Sequence, residues 1–355
     1  MSNKKNILIC RSVSNEPKNY ADVITMALKQ NGFNVVVLSG INFFSVLKSA
    51  RKADIIFSFD TIRSGVVSAI ASKIFKKKLL VRVAGDYVWE MGMNKKKARL
   101  MINDFQKSDR KGWLKILHKL QSWTCSNAHT VVVPSKYLAK IVSGWGISKT
   151  KIAIINNGIN FKKAEIKKEE ARSKIGVHGN IILSVGKLYS WKGFKMLVKL
   201  MPRLFEISQF FRLVIVGDGP DEKMLRSIIK NMRLDNRVVI VGDKTNEELA
   251  LYMAAADIFV LNSAYEVFPN ELIEAMKADV PIVTTTSGAN PEVIKQGDNG
   301  LMVKYNNEFD LVEAIKVVWR DKEIKEKFIE RGRETASKYT EDNMIENTIQ
   351  VISNL

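Results

Sequence analysis

Short apolar segments with the composition of β-strands alternate with helical patterns along the whole chain, and this alternation constrains the fold most. The segments are apolar throughout rather than at every second residue, as expected for strands buried on both faces. The alternation predicts right-handed βαβ units and parallel sheets. The predicted strands are Ile7–Cys10, Val35–Leu38, Ile55–Phe57, Leu79–Val83, Thr130–Val133 and Ile152–Ile155, then Ile181–Val185, Leu213–Val216, Val238–Ile240, Ile258–Val260, Ile282–Val283 and Leu301–Val303.

The length of 355 residues favours two domains, because single cores stop growing at about 250–300 residues. We therefore expect two doubly wound α/β domains in series. The polar segment Phe161–Asn180 is predicted to link them, and Tyr339–Leu355 is predicted to form a last helix. Open α/β sheets bind ligands at the carboxyl ends of their strands, so we expect the ligands in a cleft between the domains.

Composition excludes several classes of protein. With 46% hydrophobic and 26% charged residues, the chain is neither largely disordered nor fibrous. No segment approaches the ~18 consecutive apolar residues of a membrane span, and the first ten residues do not have the pattern of a secretory signal. The two cysteines, Cys10 and Cys125, form no disulfide framework. These features predict a cytoplasmic, reduced protein.

The net charge of +19 lies in one half of the chain. Residues 1–160 contain 27 Lys and Arg against 8 Asp and Glu, whereas the remainder contains 29 of each. Such asymmetry indicates a polyanionic partner of the first half: nucleic acid, an anionic membrane or an acidic substrate. The alternative explanation is a genome that favours lysine codons, although such a bias would raise the lysine content of both halves of the chain.

One candidate anion-binding segment is Ser184-Val-Gly-Lys-Leu-Tyr-Ser-Trp-Lys-Gly-Phe-Lys. A predicted strand ends at Val185, Gly186 permits close backbone approach, and a helix is predicted from about Gly193. Lys187 and Lys192 flank the loop. A helix N-terminus with nearby ammonium groups suits a pyrophosphate. A solvated turn with lysines facing water remains the alternative.

The second candidate segment is Glu266-Val-Phe-Pro-Asn-Glu-Leu-Ile-Glu. Glu266 follows a predicted strand, and Glu274 lies about one turn into the next helix, which Asn270 could cap. A carboxylate at that place could accept hydrogen bonds from both hydroxyls of a ribose. Either glutamate alone could equally be a surface residue.

Together the two segments resemble those of glycosyltransferase family 4, whose retaining members use nucleotide sugars and have the two-domain GT-B fold. The family's G-R-L…K-G segment stands here as Gly186-Lys-Leu…Lys192-Gly193, and its E-x7-E motif as Glu266…Glu274. The resemblance covers residues 130–340 and is mainly topological before that. It implies an acceptor-binding Rossmann-like domain at 1–160, a donor-binding Rossmann-like domain at 161–338, and a helix at 339–355 that crosses back onto the first domain.

The resemblance also implies roles for individual residues. Lys187 and Lys192 would neutralise the donor diphosphate, Glu266 would contact the transferred sugar, and Glu274 would bind the ribose. Ser287-Gly-Ala-Asn-Pro-Glu-Val-Ile resembles a family segment that serves packing and loop placement. The expected donor-binding residues are Gly186, Lys187, Lys192, Glu266, Val267, Phe268, Asn270 and Glu274, and the expected catalytic residues are Asp86, Glu266 and Lys192.

The chain departs from the family pattern in three places. Lys187 replaces an arginine, which removes bidentate phosphate geometry. Residues 10–17 replace a glycine-rich loop, and Gly85 stands where many members carry a histidine before Asp86. Retention in this family is taken as same-face attack without an enzyme nucleophile, so the missing histidine is compatible with activity. Asp86 could be the acceptor-side hydrogen-bond acceptor or base, with Glu90 as a second candidate, or it could simply cap a turn.

A basic amphipathic helix is predicted near residues 111–123. Trp113, Ile116, Leu117, Leu120 and Trp123 recur at helical spacing, and lysines occupy the other faces. This pattern fits a helix lying on an anionic membrane, or one packed on its own sheet. No nucleic-acid recognition motif is present. The expected acceptor- or membrane-facing residues are Arg11, Glu90, Lys111, Trp113, Lys115 and Lys119.

The expected function is transfer of a hexose-type sugar from a nucleoside-diphosphate sugar to a glycan or lipid-linked acceptor, in cell-surface polysaccharide or glycolipid synthesis. We expect no cofactor and no metal, because no DxD occurs and the three histidines do not cluster. A nucleotide-sugar 2-epimerase and a non-catalytic membrane- or partner-binding relative remain alternatives. A cytoplasmic location, with peripheral attachment to the inner face of the cell membrane, follows from the same reasoning.

Overall fold

Two parallel six-stranded sheets form the framework of the described chain, and each belongs to its own structural unit. The structure, a computed structural model, describes residues 5–11, 20–40, 42–95, 97, 98 and 100–355. The first unit extends to Gly158 and includes Glu341–Leu355, and the second unit is Ile159–Thr340. The predicted fold class, α/β with doubly wound sheets, is confirmed.

The sheet of the first unit has the strand order β2-β1-β3-β4-β5-β6. Because β1 pairs in parallel with both β2 and β3, the order reverses beside β1, which is where open α/β sheets bind ligands. The apolar side chains of β1 are buried, as its continuous apolar sequence predicts. The strands are β1 Asn6–Arg11, β2 Asn34–Ser39, β3 Ile55–Ser58, β4 Lys78–Arg82, β5 Thr130–Val133 and β6 Ile152–Ile154.

Helices connect these strands, and three of them follow one another between β4 and β5. The helices of this part of the first unit are α1 Tyr20–Gln30, α2 Phe43–Ala50, α3 Arg63–Phe75, α4 Tyr87–Asn94, α5 Ile102–Lys107, α6 Gly112–Asn127 and α7 Lys136–Gly144. The departure from the family's glycine-rich loop falls mainly on residues 12–17, which lie outside the described residues.

The sheet of the second unit has the order β12-β11-β10-β7-β8-β9. Its strands are β7 Asn180–Val185, β8 Phe211–Val216, β9 Val238–Ile240, β10 Ile258–Leu261, β11 Ile282–Thr285 and β12 Leu301–Val303. Its helices are α8 Lys168–Ile175, α9 Phe194–Ile207, α10 Glu222–Asn231, α11 Asn246–Ala255, α12 Asn270–Lys277, α13 Asn290–Val293, α14 Glu308–Arg320 and α15 Lys322–Ala336. Apolar clusters fill both faces of this sheet.

The predicted linker Phe161–Asn180 is wrong, because this segment is part of the second unit. It contains α8, whose Ala171 is fully buried, and Phe161 belongs to the same apolar cluster. Arg172 pairs with the buried Asp257, which also accepts a hydrogen bond from the Ile181 amide at 2.7 Å. A helix that buries one small residue reads as a polar linker, since its other side chains face water.

The last helix, α16 Glu341–Ser353, packs on the first unit. Met344 and Ile352 are buried in the apolar cluster that contains Ile7 and Ile24. Tyr20 of α1 and Thr348 of α16 share a hydrogen bond of 2.8 Å between their hydroxyl groups. The chain therefore returns to its first unit after completing the second. Within the described residues, no helix combines the length and apolar character that crossing a bilayer requires.

Candidate donor site and acceptor-side residues

The loop after β7 carries the first pair of expected donor residues. Gly186 has φ +144°, which favours glycine, and its amide donates to the Val216 carbonyl at 3.0 Å. A Cβ on Gly217 would lie 2.0 Å from the Gly186 carbonyl oxygen, so only glycine lets the loops after β7 and β8 pass this closely. Gly219 similarly packs against the Leu188 backbone. Gly217 and Gly219 therefore let the loop after β8 pack closely against the backbone of Gly186 and Leu188.

Lys187 is exposed and faces two carboxylates. Its Nζ lies 2.7 Å from Asp218 and 3.2 Å from Asp243. The hydrogen bond to Asp218 raises the pKa of Lys187, so the side chain is cationic at neutral pH. Exposed ion pairs contribute little free energy. An anionic ligand could therefore replace Asp218 and Asp243 as the partner of Lys187 with little loss of stability.

A tight turn fixes Lys192. Ser190–Lys192 form a single turn of 3₁₀-helix before α9, and Gly193 has φ +70°. A Cβ on Gly193 would lie 1.8 Å from the Asn262 carbonyl oxygen. The Asn262 side chain donates to the Gly193 carbonyl at 3.2 Å, which binds the turn to the end of β10. The lysine preceding this glycine is thereby held at the carboxyl edge of the sheet.

Lys192 lies between two glutamates in the interior of this edge. Its Nζ is 2.8 Å from Glu266 Oε1 and 3.2 Å from Glu271 Oε1, and the three side chains are 11%, 6% and 20% exposed. Burial raises the pKa of Glu266 to about 7, although the nearby ammonium opposes the shift. Burial alone would lower the pKa of Lys192, but the two carboxylates raise it, so the lysine stays charged.

The segment after β11 positions Glu266. The Ala289 amide donates to the Glu266 carbonyl at 2.8 Å, and a Cβ on Gly288 would lie 2.5 Å from the Glu266 nitrogen. Gly288 adopts φ +62° at this contact. The loop carrying Glu266 therefore rests directly on the backbone of the 287–294 segment.

Helix α12 carries the second expected glutamate. Glu274 is half-buried on α12, and burial together with the charge of Glu271 raises its pKa to about 8. The prediction that Asn270 caps this helix is wrong: α12 begins at Asn270, and Pro269 occupies the cap position. Phe268 is buried against Tyr339, with ring centroids 5.5 Å apart. Its side chain therefore belongs to the core, which leaves only its backbone for a ligand, and Val267 beside it is half-buried.

Asp86 is a buried helix cap in the first unit. Its Oδ1 accepts hydrogen bonds from the amides of Val88 and Trp89 at 3.1 Å, and its Oδ2 accepts one from Gln106 at 2.6 Å. The residue is 0% exposed. Hydrogen-bond donors thus enclose this carboxyl group at the N-terminus of α4 and keep it away from solvent. The geometry favours the cap over the expected acceptor-side base.

The other acceptor-side residues lie at several places in the first unit. Arg11 ends β1, forms an ion pair with Asp22 and donates to the Ser39 hydroxyl at 3.0 Å. Glu90 is half-buried on α4. The structure thus places these two on separate elements, and neither lies on α6.

Helix α6 leaves the predicted apolar stripe only partly exposed. Its buried residues are Leu114, Gln121, Thr124 and Cys125. Ile116, by contrast, is 62% exposed. Trp113 is half-buried beneath the Lys95 ammonium, 5.5 Å from the ring centroid. The lysines expected to face a membrane, Lys111, Lys115 and Lys119, are exposed. Within the predicted stripe Ile116 is therefore available to a partner, whereas the other members are half-buried: Trp113, Leu117, Leu120 and Trp123.

Arg82, which the sequence analysis did not single out, is buried at the carboxyl end of β4. Its guanidinium lies 3.4 Å from the ring centroid of Tyr20, and Nη2 donates to Asn157 at 2.6 Å. Nη1 has no hydrogen-bond partner among the described residues. Burial lowers its pKa. A charged residue inside an apolar strand is the signal that could have identified it.

No group of three or more potential His, Cys, Asp or Glu metal ligands occurs in the described part of the chain. The expected independence from metals and cofactors stays a prediction.

Sequence profiles of two glycosyltransferase families match consecutive parts of the chain. The Glycosyltransferase Family 4 profile matches residues 7–163, and the Glycosyl transferases group 1 profile matches residues 165–335. An uncharacterized glycosyltransferase of Methanocaldococcus jannaschii is 28% identical over 246 residues, 67% of this chain and 63% of that protein.

A second relative is the N-acetylgalactosamine-N,N'-diacetylbacillosaminyl-diphospho-undecaprenol 4-alpha-N-acetylgalactosaminyltransferase of Campylobacter jejuni. It is 28% identical over 57% of this chain and 53% of its own length. The chain thus spans between half and two thirds of the length of these relatives.

A solved structure shares the fold over the full chain. Anabaena HepE in complex with UDP-glucose superposes with a TM-score of 0.80 at 18% identity, covering 99% of this chain and 100% of that one. Because the two profile matches together span residues 7–335, the chain belongs to the group 1, family 4 type of glycosyltransferases, and the structural match shows that it has the GT-B fold.

Proposed function

We propose that the protein is a retaining glycosyltransferase that moves a hexose-type sugar from a nucleoside-diphosphate sugar to a glycan or lipid-linked acceptor. The observation that carries this proposal is the buried Lys192 ammonium, held 2.8 Å from Glu266 at the carboxyl edge of the second sheet. A buried cation beside glycine loops and a helix N-terminus is suited to a diphosphate.

In this proposal the second unit binds the donor. Lys192 and the more exposed Lys187 neutralise the diphosphate, and the Gly186 loop admits it to close backbone contact. Glu266, whose pKa lies near 7, accepts hydrogen bonds from hydroxyl groups of the sugar. Glu274 binds the ribose from α12. Between these two glutamates in sequence lie Val267, Phe268 and Asn270. In this proposal their backbone contacts the same donor.

In this reaction the protein contributes electrostatic stabilisation and positioning of the substrates, and it does not provide a nucleophile. As the sugar–phosphate bond breaks, the diphosphate gains negative charge, and Lys192 stabilises it because the ammonium is already desolvated and fixed. The acceptor hydroxyl attacks from the same face, and a donor phosphate oxygen takes its proton. We propose that neither a metal nor a cofactor takes part, since two lysines and the start of α12 provide the positive potential.

The first unit binds the acceptor in this proposal. Residues 1–160, which include the bulk of this unit, carry an excess of 19 positive charges, and this excess favours an anionic acceptor or surface. The exposed Ile116, the half-buried Trp113 and the lysines of α6 form a surface suited to the interface of an anionic bilayer. The Campylobacter relative is named for a diphospho-undecaprenol substrate, and an acceptor of that class would reside in such a bilayer. Synthesis of cell-surface polysaccharide or glycolipid is the corresponding role.

Release of nucleoside diphosphate tests this proposal. Purified protein is incubated with UDP-, GDP- and ADP-sugars, with and without a total lipid extract as a source of acceptor. We expect one nucleotide sugar to be consumed and Lys192→Ala to reduce consumption by at least about 100-fold, because charge stabilisation of this kind is worth about 3 kcal/mol. Lys174→Ala, which removes an exposed ion pair with Glu170, is the matched control. If no nucleotide sugar is consumed under either condition, the proposal is wrong.

A further inference from the structure

Glu271 is an acidic residue at the position where the donor diphosphate is expected. It lies in the first turn of α12, and its Oε1 is 3.2 Å from Lys192 Nζ. A Cβ placed on Gly186 would meet Glu271 Oε1 at 3.3 Å and Lys192 Nζ at 3.5 Å. The Glu271 carboxylate thus contacts the ammonium and occupies the space beside Gly186 that the diphosphate is proposed to enter.

Two carboxyl groups already contact the Lys192 ammonium before any ligand binds. Glu266 and Glu271 share the single ammonium of Lys192, and Glu274 follows Glu271 by three residues on the same helix face. Lys187, the other nearby cation, points instead to Asp218 and Asp243. A diphosphate therefore cannot join the cluster while both carboxylates remain charged and in contact with Lys192, because like charges at this separation repel strongly.

We propose that Glu271 is a built-in competitor of the donor diphosphate, whose carboxylate must leave Lys192 before the donor binds. This inference rests on the proposed function and concerns the same site. The carboxylate resembles a phosphate in charge and in hydrogen-bond acceptors, so it keeps the buried ammonium paired in the empty site. The free energy needed to displace the Glu271 carboxylate from Lys192 lowers the affinity for the donor.

Competition of this kind has two consequences. Donor affinity falls as the pH rises, because the groups that face Glu271, namely Lys192, Glu266 and Glu274, then carry more net negative charge. The nucleoside diphosphate product has one more ionisable phosphate oxygen than the donor, so the same carboxylate repels it more. Glu271 therefore disfavours the product relative to the donor and promotes product release.

Calorimetric titration of Glu271→Gln tests the inference. The probes are UDP-glucose, UDP-N-acetylglucosamine and GDP-mannose, whose diphosphate charge is constant between about pH 6 and pH 8. We expect wild type to bind the accepted nucleotide sugar about tenfold more weakly at the higher pH and to take up protons on binding. Glu271→Gln should bind about tenfold more tightly than wild type at the higher pH. The variant should also be more strongly inhibited by the free nucleoside diphosphate.

Two controls separate the possible outcomes. Glu170→Gln removes one negative charge from an exposed pair on α8 and should bind like wild type. Glu271→Ala and thermal unfolding of each variant show whether an effect comes from damaged folding. If wild type binds but Glu271→Gln shows unchanged or weaker affinity, Glu271 is not a competitor, while the proposed function stands. If no probe binds wild type or variant, the proposed function and this inference both fail.

Discussion

Replacing Lys192 by methionine tests whether Lys192, Glu266 and Glu271 form an ion cluster inside the second unit. Methionine keeps the apolar stem of the side chain but leaves two carboxylates facing each other without a counter-charge. Breaking a buried ion pair by removing one partner costs about 3–5 kcal/mol. We expect the lower end, about 3 kcal/mol, because Glu271 is 20% exposed and water screens part of the repulsion.

The pH dependence of this loss identifies its cause. Burial already raises the pKa of Glu266 to about 7, and removing the ammonium raises it further. A carboxyl group whose pKa is higher in the folded protein than the unfolded value of about 4.3 destabilises the fold as the pH rises. The penalty should therefore be largest near pH 8 and small near pH 5.5, where a proton replaces the lysine charge.

Scanning calorimetry measures this effect. One kcal/mol shifts the Tm of a domain of 150–250 residues by about 2–4 °C, so Lys192→Met should lower the Tm by about 6–12 °C near pH 8. Adding Glu266→Gln should restore part of the loss, and Lys174→Met is the exposed control. An equal loss at both pH values, or one no larger than that of the control, would refute the ion cluster.

Three further predictions concern other parts of the two units. Gly193→Ala should weaken nucleotide binding at least about tenfold in titration calorimetry, since its Cβ would lie 1.8 Å from the Asn262 carbonyl oxygen; unchanged affinity contradicts this account of the turn. Asp86→Ala should lower the free energy of unfolding by about 2 kcal/mol through loss of the cap and leave nucleotide affinity intact; lost transfer at unchanged stability would instead make Asp86 catalytic. Ile116→Glu should reduce co-sedimentation with anionic vesicles, whereas equal binding of variant and wild type would exclude this face of α6 from membrane contact.

The strands could be predicted from the sequence because burial on both faces leaves a continuous apolar run. Ile7–Cys10 and Ile181–Val185 fall within β1 and β7, and each of the other predicted strands lies on or next to an observed one. The two segments expected to bind the donor could be predicted for a similar reason: glycines and charged residues at the ends of strands stand out against apolar surroundings. The Lys192 and Glu266 contact then follows from the parallel sheet.

Other features depend on contacts that no local pattern encodes. Glu271 in the first turn of a helix has the usual place of a solvated acid, and only the fold brings it to Lys192. Asp86 followed by an apolar segment fits both a cap and a base until Gln106 is seen to enclose its carboxylate. The sequence of α8 resembles that of a polar linker because Ala171 is the one residue of this helix that is fully buried.

Thermal unfolding with UDP, GDP, ADP and CMP, on wild type and Glu274→Ala, tests the central claim that the second unit binds a nucleotide-sugar donor. A ligand at about 100 times its Kd adds about 2.7 kcal/mol of stability, or roughly 5–10 °C for a domain of this size. The account predicts that one nucleotide stabilises wild type and Glu170→Ala but not Glu274→Ala. Stabilisation of none of the three proteins, or equal stabilisation of all three, would contradict it.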